Sequence, residues 1–269
     1  MKIIMAGCGN MGYAMLSAWL DSGQVDPDDC HVVEPNEALR QRVATRGVHA
    51  HAGAGDIPEG LPADLVVLAV KPQVMGDVVP QYRRFAETGA TFLSIAAGTK
   101  IAFLTAMLGS HTPIVRCMPN TPAAIGRGMM VTVSNEHVST AMSKAIEALL
   151  SANGAVDTVG DEALMDPVTA VSGSGPAYVF HFIECLTAAA EAAGLSPETA
   201  SLLAKQTVLG AAELAASSSE TPARLREQVT SPNGTTAAAL AVLMGDNRLA
   251  NLVAEAVEAA RRRSVELGA

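Results

Sequence analysis

Aromatic residues are scarce in this 269-residue sequence, at 3% with a single tryptophan. Alanine, valine, leucine and methionine must therefore fill the core, and we interpret the twelve methionines as core residues rather than cofactor ligands. Hydrophobic residues make up 49% and charged residues only 17%, which is typical of a chain that folds around a large core. The length allows one large domain or two smaller ones.

Lysine and arginine are also few, at 18 against 27 acidic residues, and the net charge is −9. This balance argues against nucleic acid or an anionic membrane surface as a partner. No apolar run approaches the length that crosses a bilayer. Residues 1–20 are interrupted by Gly9, Asn10 and Gly12 and lack a clear cleavage site, so we do not interpret them as a signal peptide.

Cysteine pairs of the C-x-x-C type are absent. The four cysteines are Cys8, Cys30, Cys117 and Cys185. They predict reduced structural thiols in a cytoplasmic protein, and we predict no metal site.

A glycine-rich turn stands at the beginning of the chain. It follows the apolar run 2–6 and precedes a predicted helix at 13–20, and its glycines have the spacing G-x-G-x-x-G. Strand, glycine turn and helix together predict a dinucleotide site, with the phosphates at the helix N-terminus. The alternative is a glycine-rich turn without a ligand. The candidate cofactor residues are Gly7, Cys8, Gly9, Asn10, Met11 and Gly12.

A second predicted strand, 31–34, ends in Glu34 about twenty residues past the glycines. A carboxylate at this place binds the ribose 2′-OH of the cofactor in Rossmann folds. The alternative is a solvated glutamate at a strand end. We include Asn36 among the cofactor-binding candidates.

Predicted strands and helices alternate as far as residue 159. Further strands are predicted at 48–50, 64–70, 91–95, 113–118, 128–133 and 155–159, and helices at 37–46, 74–85, 101–108 and 138–150. The alternation predicts an α/β Rossmann domain, 1–159, with a doubly wound, mainly parallel sheet. From residue 162 onward no strand is evident, which predicts an all-helical substrate and dimerisation domain, 160–269. Its alanine-rich helices are apolar on several faces and favour a homodimer.

Ligands of open α/β sheets bind at the carboxyl ends of the strands. The candidates at these ends are Ala69, Val70, Lys71, Pro72, Ile95, Ala96, Ala97 and Asn120. Lys71 is either a catalytic acid or, as we favour, a structural or cofactor-contacting residue.

Two loops, 172–176 and 230–236, are each predicted to begin a helix and to offer hydroxyls and free N–H groups to an anion. The alternative is that they are ordinary capping loops. No histidine suggests a catalytic dyad. We expect His181 in the core and the other five histidines near the surface, so the reaction should need little acid–base help, as in reduction of a C=N bond.

The sequence resembles the Δ1-pyrroline-5-carboxylate reductase family over essentially its whole length. The resemblance rests on residues 7–12, 69–72, 96–98, 116–122, 172–178 and 229–236. It implies a Rossmann domain followed by a helical dimerisation domain, with dimers that can assemble into decamers. The implied activity is reduction of L-1-pyrroline-5-carboxylate to L-proline, the last step of proline biosynthesis, usually with NADPH.

The resemblance also implies the substrate site. Thr236 would bind the ring nitrogen and Ser174 would help to close the site, which makes these two the catalytic candidates. The implied substrate-binding set is Glu162, Gln228, Thr230, Ser231, Gly234, Thr235 and Thr236. Asn233 stands where many members have glycine.

Acidic residues at the adenosine end depart further from the family pattern. Glu34 and Asp56 stand where NADPH-preferring members have serine, arginine or asparagine. Arg40 or Arg42 could offset this charge, so we expect both NADPH and NADH to serve as cofactor.

The alternatives to a reductase are a β-hydroxyacid dehydrogenase and a non-catalytic protein of the same fold. A β-hydroxyacid dehydrogenase needs a lysine just after the glycine loop of its helical domain, and residues 176–191 contain none. A non-catalytic cofactor sensor or scaffold would not require both predicted anion loops.

Overall fold

An eight-stranded sheet forms the centre of the first compact unit in the computed structural model, which describes residues 1–268. The strands are β1 (Ile3–Ala6), β2 (Cys30–Val33), β3 (His49–His51), β4 (Leu65–Leu68), β5 (Thr91–Ser94), β6 (Ile114–Met118), β7 (Gly128–Ser134) and β8 (Gly154–Thr158). Their order is β3-β2-β1-β4-β5-β6-β7-β8, and only the β6–β7 pair is antiparallel among the residues described. The predicted mainly parallel, doubly wound sheet is confirmed.

Helices cover both faces of this sheet. They are α1 (Asn10–Asp21), α2 (Glu37–Ala44), α3 (Met75–Val78), α4 (Arg83–Glu87), α5 (Ile101–Leu108), α6 (Thr140–Ser151) and α7 (Met165–Val168). The segment 74–85 is helical, as predicted, but it is not one continuous α-helix, because a 3₁₀ turn at Pro72–Val74 precedes α3 and a second 3₁₀ turn at Val79–Tyr82 separates α3 from α4. Pro80, which lacks an N–H group, accounts for the second interruption.

Two hydrophobic clusters lie on opposite faces of the sheet. Ile3 and Met5 belong to one cluster, and Ile4 and Ala6 belong to the other. The alternation of side chains along a strand explains this division. Because both faces are buried, each large aliphatic side chain contributes about 1.5–3 kcal/mol to the stability of the fold. This burial stabilises the sheet up to the edge at which the strands end.

Three histidine rings stack on one side of the β2–β3 pair. His31 is 8% exposed, its Nδ1 lies 3.0 Å from His51 Nε2, and its ring stacks on His49 with centroids 4.5 Å apart. The expectation of exposure is therefore wrong for His31, because the strand register places it opposite His49 and its ring stacks on those of His49 and His51. Burial, with smaller effects from His49, His51 and Lys2, lowers the pKa of His31 to about 4.

This lowered pKa predicts a loss of stability in mild acid. In the unfolded chain His31 binds a proton near pH 6.5, whereas in the folded protein it binds this proton only near pH 4. The free energy of unfolding therefore falls as the pH drops through this window. Chemical denaturation at fixed protein concentration should show a flatter pH dependence for His31→Gln, and His111→Gln, at an exposed histidine, is the control. Identical curves for wild type and His31→Gln would contradict the assignment.

Helices alone form the second compact unit, Gly175–Ala259. They are α8 (Gly175–Ala192), α9 (Pro197–Ser217), α10 (Pro222–Gln228), α11 (Thr235–Met244) and α12 (Arg248–Leu267), whose residues from Ala260 belong to the first unit. Ser196 Oγ accepts the Thr199 N–H at 3.3 Å and caps α9, which begins at Pro197. The first unit extends to Ser174, and the domain boundary at 159/160 stays a prediction. Within residues 1–268, none of the helices combines the length and apolar character needed to cross a membrane.

Candidate active site

The carboxyl ends of four neighbouring strands share one row of the sheet. The residues in this row are Val33, Ala6, Leu68 and Ser94. Gly7 N–H donates to Val33 O, and Ala69 N–H donates to Ala6 O, each at 2.8 Å. The structure therefore brings together the predicted cofactor residues that follow these strands, beginning at Glu34, Gly7, Ala69 and Ile95.

The glycine turn is shaped to receive a dinucleotide. Gly7 has φ +82°, and a Cβ at this position would lie 2.6 Å from Val70 Cγ1. A Cβ on Gly9 would meet no atom within 4 Å, so the space above this residue is open. Gly9 is also the N-cap of α1 and provides no side-chain cap for its first N–H groups. An open backbone cradle at a helix N-terminus fits a pyrophosphate.

Glu34 ties the end of β2 to this turn. The residue is 7% exposed, its Oε2 accepts the Cys8 N–H at 2.8 Å, and its Oε1 accepts the Asn36 N–H at 3.0 Å. A carboxylate oxygen can accept more than one hydrogen bond, so a ribose hydroxyl can still be bound. The interpretation of Glu34 as merely solvated does not fit these contacts.

Two arginines next to Glu34 are held by backbone carbonyls. Arg40 Nη1 donates to Glu34 O and to Pro35 O, both at 2.9 Å. Arg42 Nη2 donates to Cys8 O at 3.2 Å, and its guanidinium lies 3.9 Å from the centroid of the Tyr13 ring. Either arginine would have to give up these contacts to swing toward a 2′-phosphate.

Three other cofactor candidates also shape the backbone. Asn36 Oδ1 accepts the Leu39 N–H at 3.1 Å and caps α2. Asn120 Oδ1 accepts the Met129 N–H at 2.9 Å. Lys71 is exposed and begins the 3₁₀ turn Pro72–Val74. Their contacts with a cofactor stay predictions.

The Cys8 side chain faces the core rather than the open side of the turn. Burial raises the pKa of its thiol to about 12, against an opposing effect of Arg42. The neutral thiol is therefore a core group, and Cys8 serves this edge of the sheet through its backbone N–H.

The segment 172–176 leads into a helix, as predicted, because α8 begins at Gly175, but it is not a loop with free N–H groups. Thr169–Gly173 is a π-helical turn, and the Ser174 N–H donates to Thr169 O at 2.9 Å rather than remaining free. A Cβ on Gly173 would lie 2.4 Å from Met118 Cε, so close packing explains this glycine. π-Turns occur frequently at functional sites, and the role of Ser174 stays a prediction.

The turn before α11 does begin a helix, as predicted. Gly234 is the N-cap without a side-chain cap, and within residues 1–268 the N–H groups of Thr235 and Thr236 donate no hydrogen bond. Asn233 has φ +59°, a left-handed conformation that asparagine tolerates better than most residues. Thr230 Oγ1 donates to Arg226 O at 2.6 Å. The binding roles predicted for the set 228–236 stay predictions.

His181 is exposed in the single chain, which makes its assignment to the core wrong. Its Nδ1 lies 3.0 Å from Glu184 Oε2, and none of the residues of α8 is buried in a single chain. An amphipathic pattern could not reveal this exposure, because α8 is apolar on several faces.

An ion pair between a buried arginine and a partly exposed glutamate was not predicted from the sequence. Arg116, on β6, is 4% exposed, and its Nη1 lies 2.9 Å from Glu162 Oε1. The available signal was a single arginine within an otherwise apolar strand, since a buried charge requires a partner.

The parallel sheet with its glycine cradle defines the Rossmann class of dinucleotide-binding oxidoreductases. Residues 2–98 match the family model described as NADP oxidoreductase, coenzyme F420-dependent. Residues 162–267 match the model of the pyrroline-5-carboxylate reductase dimerisation domain. With the full-length relatives that follow, these matches show that the chain belongs to the pyrroline-5-carboxylate reductase family.

Curated proteins and solved structures agree on this family. Pyrroline-5-carboxylate reductase of Pseudomonas aeruginosa is 43% identical, and the match covers 99% of this chain and 96% of that protein. The reductase structure from Coxiella burnetii is 36% identical with a TM-score of 0.93, covering 100% of this chain and 98% of that one. The Plasmodium falciparum enzyme with NADP bound is 30% identical with a TM-score of 0.87, covering 100% and 98%.

Proposed function

We propose that this protein reduces L-1-pyrroline-5-carboxylate to L-proline with NAD(P)H, the last step of proline biosynthesis. Membership of the reductase family over the whole chain carries the proposal. The glycine cradle at the row of strand ends supports it, because it fits the cofactor that such a reduction requires.

The first unit provides the groups that hold the cofactor. The backbone N–H groups at the start of α1 bind the pyrophosphate, and Glu34 accepts a hydrogen bond from the adenosine ribose. The loops after β4 and β5, which contain Ala69 and Ala96, flank the nicotinamide. When bound, the reduced nicotinamide supplies a hydride to the carbon of the C=N bond.

The turn before α11 holds the substrate. The free N–H groups of Thr235 and Thr236 bind the carboxylate, since a helix N-terminus favours an anion. The Thr236 hydroxyl hydrogen-bonds the ring nitrogen and orients the C=N bond. A protonated imine is already an electrophile, so these residues need to position it rather than activate it.

Oxidation of NADPH or NADH in the presence of pyrroline-5-carboxylate tests the proposal, with proline identified as the product. The same mixture without substrate is the control. Protein that binds the cofactor but shows no turnover would instead favour the sensor or scaffold function.

We also propose that the protein is a homodimer, or a larger assembly of dimers, formed through the helical unit. Leu202 on α9 is 66% exposed and Phe180 on α8 is 58% exposed in the single chain. Of the aliphatic and aromatic residues described in Gly175–Ala259, only Ala200 and Ala204 are buried. An apolar surface of this kind marks an interaction site.

Replacement of Leu202 by aspartate should convert the assembly to monomers, because it places a charge within this apolar surface. Light scattering at micromolar concentration measures the change. Lys205→Glu, at an exposed polar position of the same helix, is the control. Wild-type protein that is monomeric and still active would contradict the proposal.

A cytoplasmic location and the absence of nucleic-acid partners complete the proposal. The net charge of −9 and the buried free thiols of Cys8, Cys30 and Cys117 support them.

A further inference from the structure

We propose that Arg116 and Glu162 are positioning residues that fix the loop between β5 and α5, and through it the nicotinamide end of the cofactor. The inference rests on the proposed function, which assigns Ala96 and Ala97 of this loop to the cofactor. Neither Arg116 nor Glu162 has to touch the cofactor for this role.

The helix after the loop has no cap of its own. Lys100 is the N-cap of α5, and its side chain makes no capping hydrogen bond. The Ile101 N–H instead donates to Glu162 Oε1 at 2.8 Å. A carboxylate at this place satisfies the backbone and complements the helix dipole, so Glu162 caps α5 from 61 residues away.

Arg116 fixes the carboxylate that provides this cap. Its Nη1 donates to the same Oε1 atom at 2.9 Å, and the arginine is 4% exposed. Because β6 holds the arginine within the sheet, Glu162 is attached to a rigid element. A buried guanidinium also requires its counter-charge, which couples the two residues.

The loop is consequently fastened at both of its ends. At the beginning, the Ile95 N–H donates to Leu68 O at 3.1 Å, which continues the sheet. At the other end, the only described hydrogen bond of the Ile101 N–H is the one to Glu162. Loss of either Arg116 or Glu162 releases this second end. The loop residues that we assign to the nicotinamide, Ala96 and Ala97, can then move.

Fluorescence titration with NADH in the absence of substrate tests the proposal independently of turnover. Glu162→Ala and Arg116→Met should each raise the Kd for NADH about five- to tenfold, and the double variant should be little worse than either one, because the residues act as a unit. The KM for pyrroline-5-carboxylate should change little in Arg116→Met, and the KM of the Glu162 variants tests separately the substrate role that the resemblance implies for Glu162. Arg83→Met, which removes an exposed ion pair with Glu87, is the matched control.

Two further variants test the cap itself. Glu162→Gln keeps an oxygen that can accept the Ile101 N–H and should recover part of the affinity for NADH. Lys100→Ser provides a local N-cap and should improve the Glu162→Ala variant. If Arg116→Met does not fold, Arg116→Lys and the Glu162 variants carry the same test.

Two results would overturn the inference. One is a lower melting temperature of the Arg116 and Glu162 variants with an unchanged Kd for NADH, which indicates a purely structural pair. The other is a large rise in the KM for pyrroline-5-carboxylate in the Glu162 variants alone, which indicates direct contact with the substrate. NADH binding without any turnover in the wild type would contradict the proposed function but leave the binding test intact.

Discussion

Replacement of Thr236 by alanine should lower kcat/KM for pyrroline-5-carboxylate by about 10- to 150-fold, which corresponds to the loss of a hydrogen bond to a charged group, about 1.5–3 kcal/mol. The hydroxyl is expected on the ring nitrogen, and its position in the first turn of α11 orients the imine. Cofactor affinity should change little, because the cofactor residues belong to the first unit.

Steady-state kinetics and NADH titration of the same preparations measure both quantities. Thr236→Ser retains a hydroxyl at the same place and should keep most of the activity. Equal damage to cofactor affinity and to turnover in Thr236→Ala would place this turn at the cofactor rather than at the substrate.

Replacement of Glu34 by serine should shift the ratio of kcat/KM values toward NADPH by about tenfold or more. Two unit charges about 4 Å apart repel by about 4 kcal/mol at an effective dielectric of 20, and solvent around a 2′-phosphate reduces this value. In NADH the ribose hydroxyl instead donates to the carboxylate. With Arg40 and Arg42 held by backbone carbonyls, the wild type should accept NADH unusually well for its family.

The ratio of the kcat/KM values for NADPH and NADH is more informative than either value alone. Glu34 also accepts the Cys8 N–H, so its replacement affects the glycine turn as well as the charge. A looser glycine turn would weaken the binding of both cofactors equally, whereas the charge of Glu34 opposes the binding of NADPH alone. Glu37→Ser, on the exposed first turn of α2, is the matched control and should leave the ratio unchanged. An unchanged ratio in Glu34→Ser would show that Glu34 stabilises the glycine turn and does not discriminate between the two cofactors.

The centre of the sheet was predictable because strands such as β1, β4 and β5 are short buried runs that end in small or turn-forming residues. The strand ends that carry the cofactor candidates follow directly from that pattern, and the helix predicted at 101–108 has the same bounds in the structure. Local sequence was sufficient in these places because burial on both faces leaves no competing arrangement.

Long-range contacts explain what the sequence did not predict. The partners of Arg116 and Ile101 lie 46 and 61 residues away in Glu162, so no local pattern shows the ion pair or the cap. The π-turn at 169–173 resembles a glycine loop in sequence, but it is helical in the structure and its Gly173 packs near Met118. His31 is buried because strand register, not its own neighbours, places it under the other rings.

Burial of the Cys8 thiol within the glycine turn affects how the protein reacts with oxidants. Peroxides attack the thiolate form of cysteine, and the pKa of about 12 at Cys8, Cys30 and Cys117 leaves almost none of that form at neutral pH. The first unit thus carries three buried cysteines, one of them within the glycine turn, without offering a thiolate nucleophile to the solvent. The remaining cysteine, Cys185, lies on α8 of the helical unit, the helix that also carries part of the apolar surface proposed for the dimer.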